Sequence, residues 1–286
     1  MLLRLTNLHK LLTITKILEG LQQKDDKVKA ASTTNLSCLS FLGGDSTKAS
    51  EYADIALEAD RYSGKALVNK GNCYFIEGDF VSAKEIYLEA IGVENDNFQA
   101  IFNLGLVNVQ LGLAEEAIQA FEELHRLTPN NPEVIYQIAD IYDLQGRSVE
   151  AIRWFSVLMA RVPNDPNVLS RLSQLHLKTS EDTQEALHYQ LESFRNYPVD
   201  LDVLSWLGSY FVQNELYEKS IFFFRQAQLV QPNEVKWGMM TASALRRIDD
   251  DEGALREYEA LHQRFPDNTE CQRNITALRQ KLELDG

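Results

Sequence analysis

Residues 105–129 read GLVNVQLGLAEEAIQAFEELHRLTP, and Gly105, Ala117 and Pro129 lie twelve residues apart within them. The last two positions recur along the chain at a nearly constant interval. Seven small residues are separated by 34, 34, 34, 35, 34 and 34 positions: Ala49, Ala83, Ala117, Ala151, Ala186, Ser220 and Ala254. Five prolines follow them by twelve positions: Pro129, Pro163, Pro198, Pro232 and Pro266. Two patterns that share one insertion indicate an internal repeat of about 34 residues.

A third set of small residues precedes the first set by twelve positions, apart from the same insertion: Gly71, Gly105, Ala139, Ser173, Gly208 and Ala242. Small residues in both helices of a pair allow the helices to approach closely, and proline ends the second helix. Large aromatic residues between these positions are predicted to form the core: Tyr74, Tyr142 and Phe211 on first helices, and Tyr87, Phe121, Phe155, Phe224 and Tyr258 on second helices.

A period of 34 residues is typical of tetratricopeptide helix pairs. We therefore predict an all-α, right-handed tetratricopeptide superhelix, an α-solenoid of about seven helix pairs plus terminal helices. The predicted repeats span residues 30–63, 64–97, 98–131, 132–165, 166–200, 201–234 and 235–268. An N-terminal amphipathic helix and linker precede them in residues 1–29, and a C-terminal capping helix follows in residues 269–286. The extra residue of the fifth repeat is placed in a longer connection over residues 179–183.

Composition excludes several classes of function. The net charge of −14 argues against a phosphate-binding surface, so no nucleic-acid partner is expected. The three cysteines are odd in number, lie far apart and form no Cys-x-x-Cys motif, which fits a reducing cytoplasm. No run of eighteen apolar residues is present, so we expect no membrane insertion, and the N-terminus does not resemble a signal peptide.

The sequence contains no catalytic signature. Its five histidines form no metal-binding pattern, and it lacks phosphate-binding, dinucleotide-binding and nucleophile-elbow motifs. We therefore predict that the protein is not an enzyme and uses no metal or other cofactor.

The first helices of such repeats line the inner face of the superhelix, where positions two, five, nine and twelve should be accessible. Five of these eight positions in the second and third repeats are apolar, and the fourth repeat is acidic. The predicted partner groove comprises Val68, Asn72, Phe75, Phe102, Leu106, Val109, Tyr136, Asp140 and Asp143. It suits a helical or extended segment with apolar anchors and a basic flank. The alternative is that Phe102, Leu106 and Val109 pack on neighbouring repeats.

Several runs that the repeat does not require resemble polaris-type core subunits of the intraflagellar-transport B complex. They are residues 28–37, 52–56, 60–62, 69–72, 136–139 and 231–237, followed by residues 242–247 and Phe265-Pro266. The resemblance implies a non-enzymatic scaffold for cilium assembly whose partners are other subunits of that complex. It also implies a location in the cilium or flagellum and the basal body, in addition to the cytoplasmic location that the composition favours. Residues 1–12 have no counterpart in the resemblance.

Two other functions remain open. One is the substrate-binding tetratricopeptide region of an O-GlcNAc-type glycosyltransferase, which displays an asparagine ladder at position six. Here that position holds Asn35, Asn69, Asn103, Gln137, Arg171, Trp206 and Met240, so the ladder begins and then fails. The other is a different cytosolic adaptor.

Overall fold

The computed structural model describes residues 17, 20, 25–179 and 183–285, and the regular secondary structure of this part of the chain is entirely helical. The fifteen α-helices of residues 25–179 and 183–285 are α1 (Asp26–Leu42), α2 (Ser46–Ala59), α3 (Gly64–Glu77), α4 (Phe80–Val93), α5 (Phe98–Gln110), α6 (Ala114–Leu127), α7 (Pro132–Leu144), α8 (Ser148–Met159), α9 (Pro166–Thr179), α10 (Gln184–Asn196), α11 (Leu201–Gln213), α12 (Tyr217–Val230), α13 (Val235–Arg247), α14 (Asp251–Arg264) and α15 (Thr269–Asp285). The predicted N-terminal amphipathic helix lies almost entirely outside the described residues.

The helices follow one another as short antiparallel pairs. We call the odd-numbered helices α1 to α13 the A helices and the even-numbered helices the B helices, which gives seven pairs followed by α15. The predicted all-α class with about seven helix pairs is confirmed. The division into repeats with the bounds given above stays a prediction.

Residue contacts group the chain into an N-terminal part, Met1–Trp154, and a C-terminal part, Phe155–Gly286, whose boundary falls within α8. The N-terminal part contains a core around Leu67 and Tyr87. The C-terminal part contains a core around Phe224 and a second core in which α15 buries Cys271 and Leu278 against α13 and α14.

Polar residues at the junctions between pairs start most A helices. The side chain of Asn97 accepts a hydrogen bond from the Ala100 amide at 3.0 Å, and Asn131 accepts one from the Glu133 amide at the same distance. Ser63, Asp165, Asp200 and Asn268 cap α3, α9, α11 and α15 in the same way. Such caps satisfy amides that the first helical turn leaves without partners.

The tight contact within a helix pair is made by a glycine of the A helix and an aromatic ring of the B helix. A Cβ atom built on Gly105 would lie 2.6 Å from Phe121 Cζ, and one on Gly71 would lie 2.5 Å from Tyr87 Cε1. Gly208 faces Phe224 in the same arrangement. All five predicted B-helix aromatics are at most 3% exposed. Each of these three glycines thus leaves room for one ring.

The turns between A and B helices require a left-handed backbone. Gly78, Gly112 and Gly146 have φ values of 81°, 74° and 74°. Glu215 and Asp249 adopt φ values of 58° and 59° in the sixth and seventh pairs, where no glycine is present. The B helices of five pairs end shortly before the predicted prolines.

We expect Gly105→Ala to lower the free energy of unfolding by about 1–2 kcal/mol. The new methyl group overpacks against Phe121, which outweighs the gain in helix propensity of roughly 1 kcal/mol. Gly92→Ala is the matched control, because a Cβ atom on Gly92 meets nothing within 4 Å. Urea denaturation followed by circular dichroism measures both variants, and equal stability of the two would contradict this explanation.

Candidate interaction surface

The predicted partner groove lies on the A helices α3, α5 and α7, all within the N-terminal part. Eight of its nine residues are partly exposed. The exception is Val68, which is 3% exposed and belongs to the core that also contains Leu67 and Tyr87. Including Val68 in an accessible surface was wrong, because its position on α3 turns the side chain into the packed interior.

Three of the predicted residues line one open pocket. Asn72 and Phe75 of α3 and Leu106 of α5 surround a cavity of about 240 Å³. Phe41 of α1, Tyr87 of α4 and Asn103 of α5 complete its lining. We call this cavity the Asn72 pocket. Sequence reasoning missed these last three residues as part of a surface: Tyr87 was assigned to the core, and Asn103 was considered only as a member of an asparagine ladder.

A hydrogen-bond network holds Asn72 in place at the pocket. Its Oδ1 accepts a hydrogen bond from the Tyr87 hydroxyl at 2.7 Å and a second from Asn103 Nδ2 at 2.7 Å. Tyr87 belongs to the same helix pair as Asn72, and Asn103 belongs to the next pair. The network therefore fixes the amide of Asn72 against two neighbouring helices.

Burial changes the acidity of the tyrosine in this network. Tyr87 is 1% exposed, and this burial raises the pKa of its phenol above the ordinary value of 10.0, since the charged form loses its solvation. The hydroxyl therefore stays protonated, and remains a donor to Asn72, up to a higher pH than the hydroxyl of an exposed tyrosine.

Aromatic rings support the walls around the pocket. Phe75 meets Phe80 edge to face, with ring centroids 5.4 Å apart. Phe102 meets Phe121 in the same manner at 5.3 Å. Phe102 thus packs on the B helix of its own pair and does not line the Asn72 pocket. This contact agrees with the alternative that Phe102 packs in the core. Its ring is partly exposed.

The acidic end of the predicted surface lies on α7. Tyr136, Asp140 and Asp143 are partly exposed on this helix, and none of them lines the Asn72 pocket. The structure therefore gathers Asn72, Phe75 and Leu106 into one pocket and places the acidic residues of α7 outside it. Val109 is also partly exposed and lies outside the pocket.

The first asparagines of the ladder position contact neighbouring A helices. Asn69 Nδ2 donates a hydrogen bond to the Thr34 carbonyl at 2.9 Å, and Asn103 Nδ2 donates to Asn72. These amide donors are therefore engaged within the protein, in contacts between one helix pair and the next.

The C-terminal part contains a second groove, of about 290 Å³, on α11, α12 and α13. Val212 and Met240 form apolar walls that are 37% and 39% exposed, and Arg247 also lines the groove. Across residues 25–179 and 183–285, no cluster of three or more His, Cys, Asp or Glu residues is placed to hold a metal ion. Within the same ranges, no helix has the length and apolar character needed to cross a bilayer.

Two sequence models of the tetratricopeptide repeat match the chain, one over residues 108–175 and the other over residues 78–132. Residues 78–175 of the chain therefore match the tetratricopeptide repeat. Both matched stretches coincide with A and B helices that carry the pattern of small residues and aromatic rings described above. The tetratricopeptide repeat is a protein-interaction module.

Solved tetratricopeptide structures share this fold. PilF of Pseudomonas aeruginosa superposes with a TM-score of 0.58 at 18% identity, over 77% of this chain and 100% of PilF. YrrB, described as a TPR protein with an unusual peptide-binding site, superposes with a TM-score of 0.54 at 21% identity, over 67% of this chain and 96% of YrrB. At such identities the likeness concerns the fold alone.

One curated human protein matches part of the sequence. Intraflagellar transport protein 88 homolog of Homo sapiens is 43% identical over 61 residues, which is 21% of this chain. The matched stretch spans only 7% of the human protein's length.

We expect Tyr87→Phe to lower the free energy of unfolding by about 1 kcal/mol at neutral pH, through loss of the hydrogen bond to Asn72. Above about pH 10 the unfolded phenol loses its proton while the folded one keeps it, so the wild-type protein loses stability as the pH rises. The variant lacks this contribution, and its stability should fall less steeply. Denaturation series from about pH 9 to about pH 11 compare the two. Parallel pH profiles would contradict the role of Tyr87.

Proposed function

We propose that the protein is a non-enzymatic interaction scaffold whose N-terminal part binds a segment of another protein. The observation that carries the proposal is the Asn72 pocket, an open cavity between A helices that combines apolar side chains with the fixed amides of Asn72 and Asn103. Apolar walls suit a hydrophobic anchor. Asn72 Nδ2 and Asn103 Oδ1, the amide atoms that the network with Tyr87 does not use, suit the backbone of a helical or extended peptide. No cofactor enters this function.

The acidic residues of α7 define the second feature of the proposed partner. Asp140 and Asp143 lie on the next A helix after α5, which contributes Leu106 to the pocket. A segment whose apolar anchor enters the pocket and whose flank is basic would complement both features. The charge contributes to orientation and rate of association more than to affinity.

The partners we propose are subunits of the intraflagellar-transport B complex. The support is the 43% identity to the human Intraflagellar transport protein 88 homolog over 61 residues, together with the runs of sequence that the repeat itself does not require. On this proposal the protein acts in assembly of the cilium or flagellum and is located in the cytoplasm, the cilium and the basal body.

Leu106→Asp tests the pocket. The substitution places a carboxylate in the apolar wall, and we expect it to reduce recovery of intraflagellar-transport B subunits from a ciliated cell extract by at least about tenfold. The measurement is a tagged pull-down read by mass spectrometry. Leu88→Asp is the matched control, since Leu88 is 49% exposed on α4 and lies outside the pocket.

Circular dichroism melting of both variants separates a lost contact from a lost fold. Recovery of the B subunits by wild type and Leu88→Asp, but not by a folded Leu106→Asp, supports the proposal. Equal recovery by both variants would exclude the pocket as the binding site. Failure of the folded wild-type chain to recover any B subunit would exclude the proposed partner.

Asp140→Asn combined with Asp143→Asn tests the basic flank. We expect the double substitution to weaken association with the captured partner by up to about thirtyfold, because partly exposed ion pairs contribute about 0.2–1 kcal/mol each. It should also make binding less sensitive to salt. Glu122→Gln combined with Glu123→Gln removes the same charge from exposed positions of α6 and is the control. Salt titrations that are identical for both double variants would argue against a basic flank.

A further inference from the structure

The fifth helix pair, α9 and α10, has a polar residue at the B-helix position that holds an aromatic ring in five other pairs and Ala53 in the first pair. Where α11 and α12 place Gly208 against Phe224, α9 and α10 place Ser173 against Gln190. Gln190 Nε2 donates a hydrogen bond to Ser173 Oγ at 3.1 Å, and the two residues are 6% and 0% exposed. A polar contact therefore stands at the centre of this pair, where an aromatic ring stands in the five pairs that carry Tyr87, Phe121, Phe155, Phe224 and Tyr258.

Two further polar atoms in α10 are buried without compensation. Among the described residues, Gln190 Oε1 and Ser193 Oγ have no hydrogen-bond partner. Ser193 is fully buried, and its position is apolar in the other six pairs: Ala56, Ala90, Leu124, Leu158, Ala227 and Leu261. Buried polar atoms are nearly always paired in folded proteins, because an unpaired one forfeits its hydration.

The neighbouring pair provides the comparison. Within the part of the chain that the structure describes, neither α11 nor α12 contributes a buried side-chain atom that lacks a partner. Phe211, Phe223 and Phe224 are all at most 6% exposed there. The two pairs thus differ in how much apolar surface they bury and in whether their buried polar atoms have hydrogen-bond partners. Both differences make α11 and α12 the more stable pair.

We propose that α9 and α10 form a built-in opening point of the chain, a helix pair that unfolds locally while the pairs beside it stay folded. Stability in repeat proteins is approximately the sum of the stability of each repeat and its contacts with its neighbours. A pair with a polar, incompletely paired centre therefore opens at a lower free energy than a pair with a buried ring. Opening exposes the apolar faces of α9 and α10 and makes the chain flexible at this pair.

Hydrogen–deuterium exchange of the full chain, read by mass spectrometry, tests the proposal. We expect amides of α9 and α10 to exchange at least about tenfold faster than those of α11 and α12 at neutral pH. Ser173→Gly combined with Gln190→Phe restores the packing of the neighbouring pair and should slow exchange in α9 and α10 by about tenfold or more. Exchange in α3 and α4 should not change.

The reciprocal substitution is the matched control. Gly208→Ser combined with Phe224→Gln transfers the polar pair to α11 and α12 and should accelerate exchange there. If either double variant fails to fold, Ser193→Ala performs the test alone, because it removes an unpaired hydroxyl and should slow exchange in α10. Wild-type protection in α9 and α10 equal to that in α11 and α12 would overturn the proposal. So would unchanged exchange in the folded variants that restore apolar packing.

Discussion

The close approach of a glycine to an aromatic ring is the contact on which the helix pairs depend. Gly105 leaves no space for a methyl group beside Phe121, and Gly71 leaves none beside Tyr87. The ring fills the space between two backbones and excludes water from both helices. Three pairs repeat this glycine–ring contact at the same position, and small residues hold that position in the other pairs, so the spacing of small residues along the chain follows from packing.

The same contact decides which side chains remain for binding. The side of an A helix that carries the glycine packs against the B helix. Residues near the glycine on the same A helix therefore lie at the edge of the core. Val68 falls inside the core, Phe102 packs partly on Phe121, and Leu106 reaches the Asn72 pocket. Accessibility thus changes within a few residues of one helix, and the surface is a consequence of how the core is filled.

The sequence predicted the fold well because the fold is repeated. The small residues, the prolines and the aromatic position of Phe121 each recur at an interval of about 34 residues. Each repeat therefore predicts the same helix pair. The polar caps at Asn97 and Asn131 were equally readable and were overlooked, although each precedes an A helix by one residue.

The surface was harder to predict, since it depends on the angle at which helices pack. Position five was expected to face a partner, yet Val68 at that position is buried. The link from Tyr87 through Asn72 to Asn103 joins residues 15 and 31 positions apart, and no periodic pattern reveals such a bond. Periodicity identifies the face of a helix, whereas the contacts of one side chain depend on its own neighbours.

The side-chain oxygen of Asn72 accepts hydrogen bonds from two residues and so links three residues of different helices into one hydrogen-bond network. Tyr87 and Asn103 both donate to that oxygen, so the loss of either donor alters the environment of the other. Substitutions at these positions are therefore energetically interdependent, and a change tolerated beside one pair of partners need not be tolerated beside another. During divergence the three residues would be constrained to change as a set, and a binding surface would inherit that constraint from the core beneath it.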